Sequence, residues 1–239
     1  MKKMKKVLSA LLLLVLLAGL FPLPSARAAD MRTTAVARMD ITFKCGCSRI
    51  GTGVMVAVNG MLTAGHNLVC HKHNKPLKNC TFYFGPNGKK YHYKYKGSFT
   101  FTWYCDFSDG YESENDIGYI VFPKSKKVGK TTGWYASTAA SNSKLGGSYC
   151  HMYGYNGNRL VNDWDQVKVV SAREISWPIS SALKNCAEGG PVYFEGEGSD
   201  YPSVVAIYTC YGSNNSKGYA RRLTSQLFDD MRSSGVEFN

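Results

Sequence analysis

The chain has 239 residues, of which 44% are hydrophobic and 19% are charged, and its 29 Lys and Arg against 17 Asp and Glu give a formal net charge of +12. This composition is typical of a folded protein and excludes a disordered chain or a long coiled coil. The first 28 residues carry four lysines, one arginine and no acidic residue. Without them, 211 residues remain with a net charge of +7.

Residues 1–28 have the three parts of a secretory signal peptide. A basic start is followed by an apolar run over residues 7–21 and by a small-residue cleavage site, Ala26-Arg27-Ala28. The apolar run is too short to cross a bilayer comfortably, and no later segment resembles a membrane span. We therefore expect a secreted, extracellular protein in which disulfide bonds are the default state of the eight cysteines.

From residue 51 onward, short β-type segments are separated by Gly, Asn and Ser. Residues 54–58 and 61–63 are predicted to be strands joined by Asn59-Gly60, because Asn-Gly between apolar runs is the strongest short-range hairpin signal. Further strands are predicted at residues 81–84, 91–95, 117–122, 148–153, 166–171, 191–194 and 204–208. Helical spacing appears at residues 224–234. The chain is predicted to be all-β with one C-terminal helix.

Three segments in chain order carry residue types used in acyl transfer. The first, LTAGH, ends in His66; the second, ENDIGYI, contains Asp116; and the third, CAEGGPV, contains Glu188. In order and wording they resemble the trypsin/chymotrypsin-fold serine endopeptidases, most closely their secreted bacterial glutamyl-endopeptidase-like branch. The resemblance covers about residues 51–231.

The resemblance implies two antiparallel six-stranded β-barrels with the active cleft between them. Residues 29–130 would form the N-terminal barrel, and residues 131–239 the C-terminal barrel with the Glu188 loop and the terminal helix. His66 would act as the general base and Asp116 as the acid that orients it.

Glu188 stands where the family has the serine of Gly-x-Ser-Gly-Gly-Pro. A carboxylate is a poor nucleophile toward an amide, and an anion beside an imidazole favours the protonated form, which cannot act as a base. Cys186 replaces the usual oxyanion-hole glycine, so Cys186 and Glu188 are the predicted oxyanion-hole positions, which the Glu188 carboxylate itself is able to fill. Leu183 and Tyr208 are the predicted substrate-pocket residues, aligned with a Thr and a His that recognise glutamate in the relatives. We expect a catalytically inactive homologue, a pseudoprotease.

Two other functions remain open. One is an active peptidase with a different nucleophile, for which Ser180, Ser181 and Cys186 are the nearest residues. The other is an envelope-binding module that uses the alternating Tyr/Lys segment at residues 89–96 to bind an anionic cell-surface polymer. One face of that strand carries its basic side chains: Lys90, His92, Lys94 and Lys96.

The cysteine and histidine residues between positions 70 and 80 have a spacing that matches no common zinc finger. They are Cys70, His71, His73 and Cys80. In an exported chain, a loop closed by disulfides is the favoured interpretation, with Cys70 joined to Cys45 or Cys47. The family resemblance implies a second disulfide, between Cys186 and Cys210.

The sequence predicts no metal ion and no cofactor. The expected partner is a peptide or protein ligand in the cleft of a monomer, with no nucleic acid and no membrane span.

Overall fold

The computed structural model describes residues 31–85, 90–107, 113–180, 183, 187–194, 202–212 and 216–238. The predicted signal peptide, Ser181 and Cys186 lie outside these residues. Within the described ranges, no helix has the length and apolar character needed to cross a membrane.

The first sheet is antiparallel and contains eight strands of the described chain. Its strands are β1 (Val36–Phe43), β2 (Ser48–Met55), β3 (Gly60–Thr63), β4 (Val69–Cys70), β5 (Lys75–Phe84), β6 (Tyr93–Tyr95), β7 (Thr100–Trp103) and β8 (Gly118–Val121). The hydrogen-bonded order is β4-β5-β1-β2-β3-β8-β7, and β6 pairs with β5. Fully buried side chains alternate with half-buried ones along most of β1, because one face of the sheet points into the core.

The second sheet also contains eight strands of the described chain. They are β9 (Ala136–Ser137), β10 (Tyr149–Asn156), β11 (Arg159–Gln166), β12 (Lys168–Val169), β13 (Glu174–Pro178), β14 (Pro191–Phe194), β15 (Ser203–Tyr211) and β16 (Lys217–Arg222). Their order is β11-β10-β14-β15-β16-β13-β12, and β9 pairs with β15 in parallel.

The two barrel-like sheets confirm the predicted all-β class, but each has eight strands where six were expected. In the first sheet, β4 and β6 have two and three residues. In the second, β9 and β12 have two residues each. The six longer strands of each sheet therefore match the expected number, and the short ones extend the sheets locally.

Four α-helices lie in the described ranges: α1 (Met31–Thr34), α2 (Val128–Thr132), α3 (Asn142–Leu145) and α4 (Ser225–Ser233). Helix α4 confirms the predicted C-terminal helix. Its N-cap is Thr224, whose hydroxyl accepts a hydrogen bond from the Leu227 N–H at 3.4 Å. The predicted boundary between residues 130 and 131 falls inside α2.

Helix α4 packs with the core of the first sheet. Leu227, Phe228 and Met231 are buried in the same hydrophobic cluster as Met61 and Ile120, which lie on β3 and β8. Helix α4, predicted to belong with the C-terminal barrel, thus shares a hydrophobic cluster with residues of the first sheet.

The predicted β2–β3 hairpin is present, but its turn differs from the expected one. Strand β2 ends before residues 56–59, so the connection is four residues long. Neither Asn59 nor Gly60 has the positive φ that a two-residue Asn-Gly turn requires. Instead, the Asn59 side chain donates to the Gly235 carbonyl at 3.0 Å and accepts from the Glu237 N–H at 2.8 Å. The Asn59 amide therefore anchors the chain segment after α4.

Candidate active site

His66 lies in a single 3₁₀ turn, Gly65–Asn67, directly after β3. The turn packs so closely against its neighbours that a Cβ on Gly65 would lie 2.5 Å from the Cys105 sulfur and 3.2 Å from a carboxylate oxygen of Asp116. Glycine is required there for space. Burial raises the pKa of the Cys105 thiol, and the adjacent Asp116 charge adds to this, so the thiol stays neutral.

The structure brings His66 and Asp116 together as predicted, in a two-point contact. His66 Nδ1 lies 2.5 Å from Asp116 Oδ2, and the His66 backbone N–H donates to Asp116 Oδ1 at 2.8 Å. Asp116 is fully buried. Because an ionised carboxylate only accepts hydrogen bonds, Asp116 orients the ring with Nδ1 as the donor and Nε2 on the opposite side, toward Glu188.

Glu188 is held by the first barrel through its backbone. Its carbonyl accepts hydrogen bonds from the Thr52 N–H and from the Asn67 side-chain amide, both at 3.0 Å. Asn67 follows His66 directly, and its amide also donates to the Thr63 hydroxyl at 3.0 Å. The His66 turn and the Glu188 loop are therefore joined by one buried side chain.

The Glu188 carboxylate forms a salt bridge with Arg49 on β2. The Glu188 Oε2 atom lies 2.9 Å from Arg49 Nη2 and 3.8 Å from His66 Nε2. The longer distance is within reach of an ion pair but exceeds that of a hydrogen bond. Both side chains of the salt bridge are partly exposed, at 24% for Arg49 and 18% for Glu188.

These groups face an open cleft of about 430 Å³. The described residues that line it are Arg49, His66, His71, Phe107, Glu188, Thr209 and Cys210. The imidazole, the guanidinium and the carboxylate thus meet on one wall of a cavity large enough for a few residues of peptide.

The predicted substrate-pocket residues lie in the second core. Leu183 and Tyr208 are buried, and the Tyr208 ring contacts Trp177 edge-on at 5.6 Å between centroids. From β15, the residues that reach the cleft are the next two, Thr209 and Cys210. A substrate role for Leu183 and Tyr208 stays a prediction, and so does an oxyanion-hole role for Cys186, which lies outside the described residues.

Three residues of the site were not predicted from the sequence: Arg49, Thr52 and Asn67. Thr52 uses its backbone N–H for Glu188 and accepts from the Tyr155 N–H at its hydroxyl, at 2.9 Å. For Arg49 the sequence carries no signal, because it is one of many basic residues. The position of Asn67 directly beside His66 was an available hint.

The predicted two-residue period of the basic segment holds within β6, where Tyr93 is half-buried, but Tyr91, predicted on the same face, is exposed. Tyr95 is buried, whereas His92, Lys94 and Lys96 are exposed. Lys90 is also exposed. Binding of an anionic polymer to this face stays a prediction.

The protein shares its fold with solved proteases. Neither a family model nor a curated protein matches the chain. A Glu endopeptidase in complex with MPD is 16% identical with a TM-score of 0.67, covering 87% of this chain and 94% of its own. The protease Anisep from Arthrobacter nicotinovorans is 16% identical with a TM-score of 0.68, covering 84% and 95%.

The thermostable serine protease AL20 from an extremophilic microorganism is likewise 16% identical, with a TM-score of 0.66 and coverage of 85% and 98%. At such identity the likeness concerns the backbone and leaves the chemistry of each residue to be argued from the site itself. The chain therefore has the two-barrel fold of the chymotrypsin-like serine proteases.

Proposed function

We propose that this protein is an exported pseudoprotease, which binds a peptide segment in the cleft between its two barrels without hydrolysing it. One observation carries the proposal: Glu188, the residue aligned with the family's nucleophile, forms a salt bridge with Arg49 beside the His66–Asp116 pair.

The chemistry of this arrangement argues against acyl transfer. A general base accelerates attack by taking a proton from a hydroxyl or thiol, and an ionised carboxylate has no proton to give. The Arg49 guanidinium donates to the Glu188 carboxylate and holds it turned toward β2. The His66 imidazole is thus oriented by Asp116 and has a carboxylate, not a hydroxyl or thiol, beside its Nε2.

The alternative of another nucleophile has weaker support. Ser180, the candidate serine that is described, follows β13 and has its backbone N–H bonded to Asp163 at 2.9 Å. It is not among the described residues that line the cleft. Cys186 and Ser181 lie outside the described ranges.

Labelling with a fluorophosphonate probe tests the proposal. We expect no labelling of the purified mature protein under conditions that fully label an active chymotrypsin-like protease, and no hydrolysis of a mixed peptide library. A His66→Ala variant is the matched control, since it removes the base. Labelling of the unmodified protein that disappears in His66→Ala would overturn the proposal.

Peptide binding is the second half of the test. Peptides are first selected on the immobilised protein, and their affinity for the wild type and for the Arg49→Ala variant is then compared. Because Arg49 lines the cleft, we expect the two affinities to differ. Selected peptides that bind both proteins equally would place their binding surface elsewhere.

A further inference from the structure

Two turns of the first barrel bring three cysteines and a histidine to one point. Cys45 and Cys47 lie in the turn between β1 and β2, Cys70 ends β4, and His73 lies in the turn before β5. The three sulfurs and one ring nitrogen of His73 all lie within 4.8 Å of one another. His73 Nδ1 is 3.4 Å from the Cys47 sulfur and 3.7 Å from the Cys70 sulfur.

The backbone of both turns is shaped to present these side chains. Gly46, between the two cysteines, has φ +88° with no atom within 4 Å of a hypothetical Cβ, so glycine is needed there for its conformation. In the second turn the Asn74 N–H donates to the Cys70 carbonyl at 2.7 Å, which curls the chain so that His73 faces the thiols.

We propose that Cys45, Cys47, Cys70 and His73 form a structural zinc site. Zinc bonds of about 2.3 Å to sulfur and about 2.0 Å to nitrogen place tetrahedral ligands about 3.8 Å apart for two sulfurs and about 3.5 Å for sulfur and nitrogen. The two measured nitrogen–sulfur distances bracket the second value. Four protein ligands leave no open position, which is the arrangement of a structural site.

The ligand set also selects the metal. Thiolates are soft ligands and imidazole suits zinc, whereas magnesium and calcium require oxygen ligands. The set differs from the four residues that the sequence spacing singled out. Cys80 lies in the core of the first barrel, where burial raises the pKa of its thiol well above the ordinary value, and His71 faces the cleft.

A disulfide explains this cluster less well. Cys70 lies beside both Cys45 and Cys47, as the sequence predicted, but all three are thiols in the structure. One disulfide would use two sulfurs and leave the third thiol and His73 facing it without a function. A zinc ion uses all four groups at once.

The site would brace the segment that follows His66. Cys70 is four residues beyond His66, and a zinc ion would tie it to the β1–β2 hairpin. Near this point the Lys44 N–H already donates to the Pro76 carbonyl at 2.9 Å. A zinc ion would thus add a cross-link between the two turns, close to the cleft.

Metal content of the intact mature chain tests the proposal. After gel filtration of protein produced with zinc present, we expect one zinc per chain. Cys47→Ser and His73→Ala should lower this content about tenfold or more, because each removes a ligand. Cys150→Ala and His71→Ala are matched controls, a buried thiol of the second barrel and a neighbouring histidine outside the cluster, and both should retain the zinc.

A second measurement uses only the wild-type chain and so does not depend on whether a variant folds. In the wild-type chain, Co²⁺ should give the intense visible bands of tetrahedral coordination together with thiolate charge-transfer absorption, and added Zn²⁺ should abolish both. Mass spectrometry of the metal-free chain should find Cys45, Cys47 and Cys70 as thiols. A disulfide between any two of them, or a metal content that is equal in Cys47→Ser and wild type, would overturn the proposal.

Discussion

Glu188 combines a backbone position set by the first barrel with a side chain set by Arg49. The carbonyl of residue 188 is fixed by Thr52 and Asn67 whatever the side chain is. A change of side chain at this position should therefore leave the loop in place and alter the chemistry alone.

Glu188→Ser is expected to make the protein reactive toward a fluorophosphonate probe. The serine hydroxyl would replace the carboxylate beside His66 Nε2, and the His66–Asp116 pair would then have a proton to accept. Adding His66→Ala to this variant should slow the labelling by about 10²- to 10⁴-fold, the usual contribution of a general base. A folded Glu188→Ser protein that labels no faster than wild type would contradict this account.

The resemblance to the serine endopeptidase family was sufficient to predict that His66 and Asp116 meet, because three segments occur in the family's order. It was insufficient for Arg49, whose role depends on β2 passing beside a loop 139 positions further on. For the proposed zinc site, the sequence predicted that Cys70 lies near Cys45 or Cys47, but it did not predict that His73 joins them. The strand order β4-β5-β1-β2 brings these two turns together, and a spacing rule for zinc fingers does not contain it.

Among the elements, α4 is attached to the first barrel by polar contacts as well as by its apolar face. The Tyr104 hydroxyl donates to Asp230 Oδ2 at 2.5 Å, and Gln226 donates to the other carboxylate oxygen at 2.8 Å. The bond from Tyr104, and secondly that from Gln226, lower the pKa of Asp230 below its ordinary value of 3.8.

Tyr104→Phe is expected to lower the free energy of unfolding by about 0.5 to 1 kcal/mol at pH 7, a small value because the pair is exposed to solvent. Since the pKa of Asp230 is lower in the folded state, this stabilisation is present above about pH 4 and is lost as the pH falls through the folded-state pKa. Urea unfolding at several pH values would measure it.

In that measurement the wild-type and Tyr104→Phe curves should converge at low pH. Tyr149→Phe, which alters an exposed tyrosine of the second sheet, serves as the control and should show no pH-dependent difference. A gap for Tyr104→Phe that stays constant down to pH 2 would show that the bond does not depend on an ionised Asp230.

Element prediction was closest for α4 and β14, whereas β11, β13 and β16 were not predicted as strands. Helix α4 and strand β14 were predicted within one residue at each end. Strand β11 was missed because its sequence, RLVNDWDQ, is polar and its side chains are exposed or half-buried. It forms by pairing along all of β10, a tertiary contact that overrides its weak propensity.

At the scale of the whole molecule, the two barrels meet along a seam of backbone contacts. Gly189 has φ +92°, and a Cβ there would lie 2.1 Å from the Thr52 carbonyl oxygen of the other barrel. Gly157 in the β10–β11 turn also has a positive φ, +60°, but no atom lies within 4 Å of a hypothetical Cβ. A side chain at Gly157 would meet only an unfavourable backbone conformation, whereas one at Gly189 would also clash with the other barrel.

Gly189→Ala is expected to lower the free energy of unfolding by about 3 kcal/mol or more, because it combines an unfavourable φ with a clash against backbone. Gly157→Ala should cost only about 1 to 2 kcal/mol, from the conformation alone. Denaturant unfolding of both variants measures the difference. Equal losses would mean that the seam is loose enough to admit a methyl group.

The motifs and the strand-rich pattern predicted the fold class. They did not predict that the chain returns to the first barrel at α4 and the residues after it. Apolar periodicity shows which face of α4 is buried, but it does not show which sheet that face packs against. The partner is fixed by contacts such as those of Asn59 and Tyr119 with the residues after α4, which no local pattern reveals.

This crossing has a consequence for the order in which the molecule assembles. The Asn59–Gly235 bond joins residues 176 positions apart. Because synthesis delivers the N-terminal half first, the barrel that holds His66 is not complete until α4 and the residues directly after it have been made. A chain broken off before residue 225 would leave apolar surface of that barrel uncovered. Only a chain synthesised through α4 is therefore able to bury this surface.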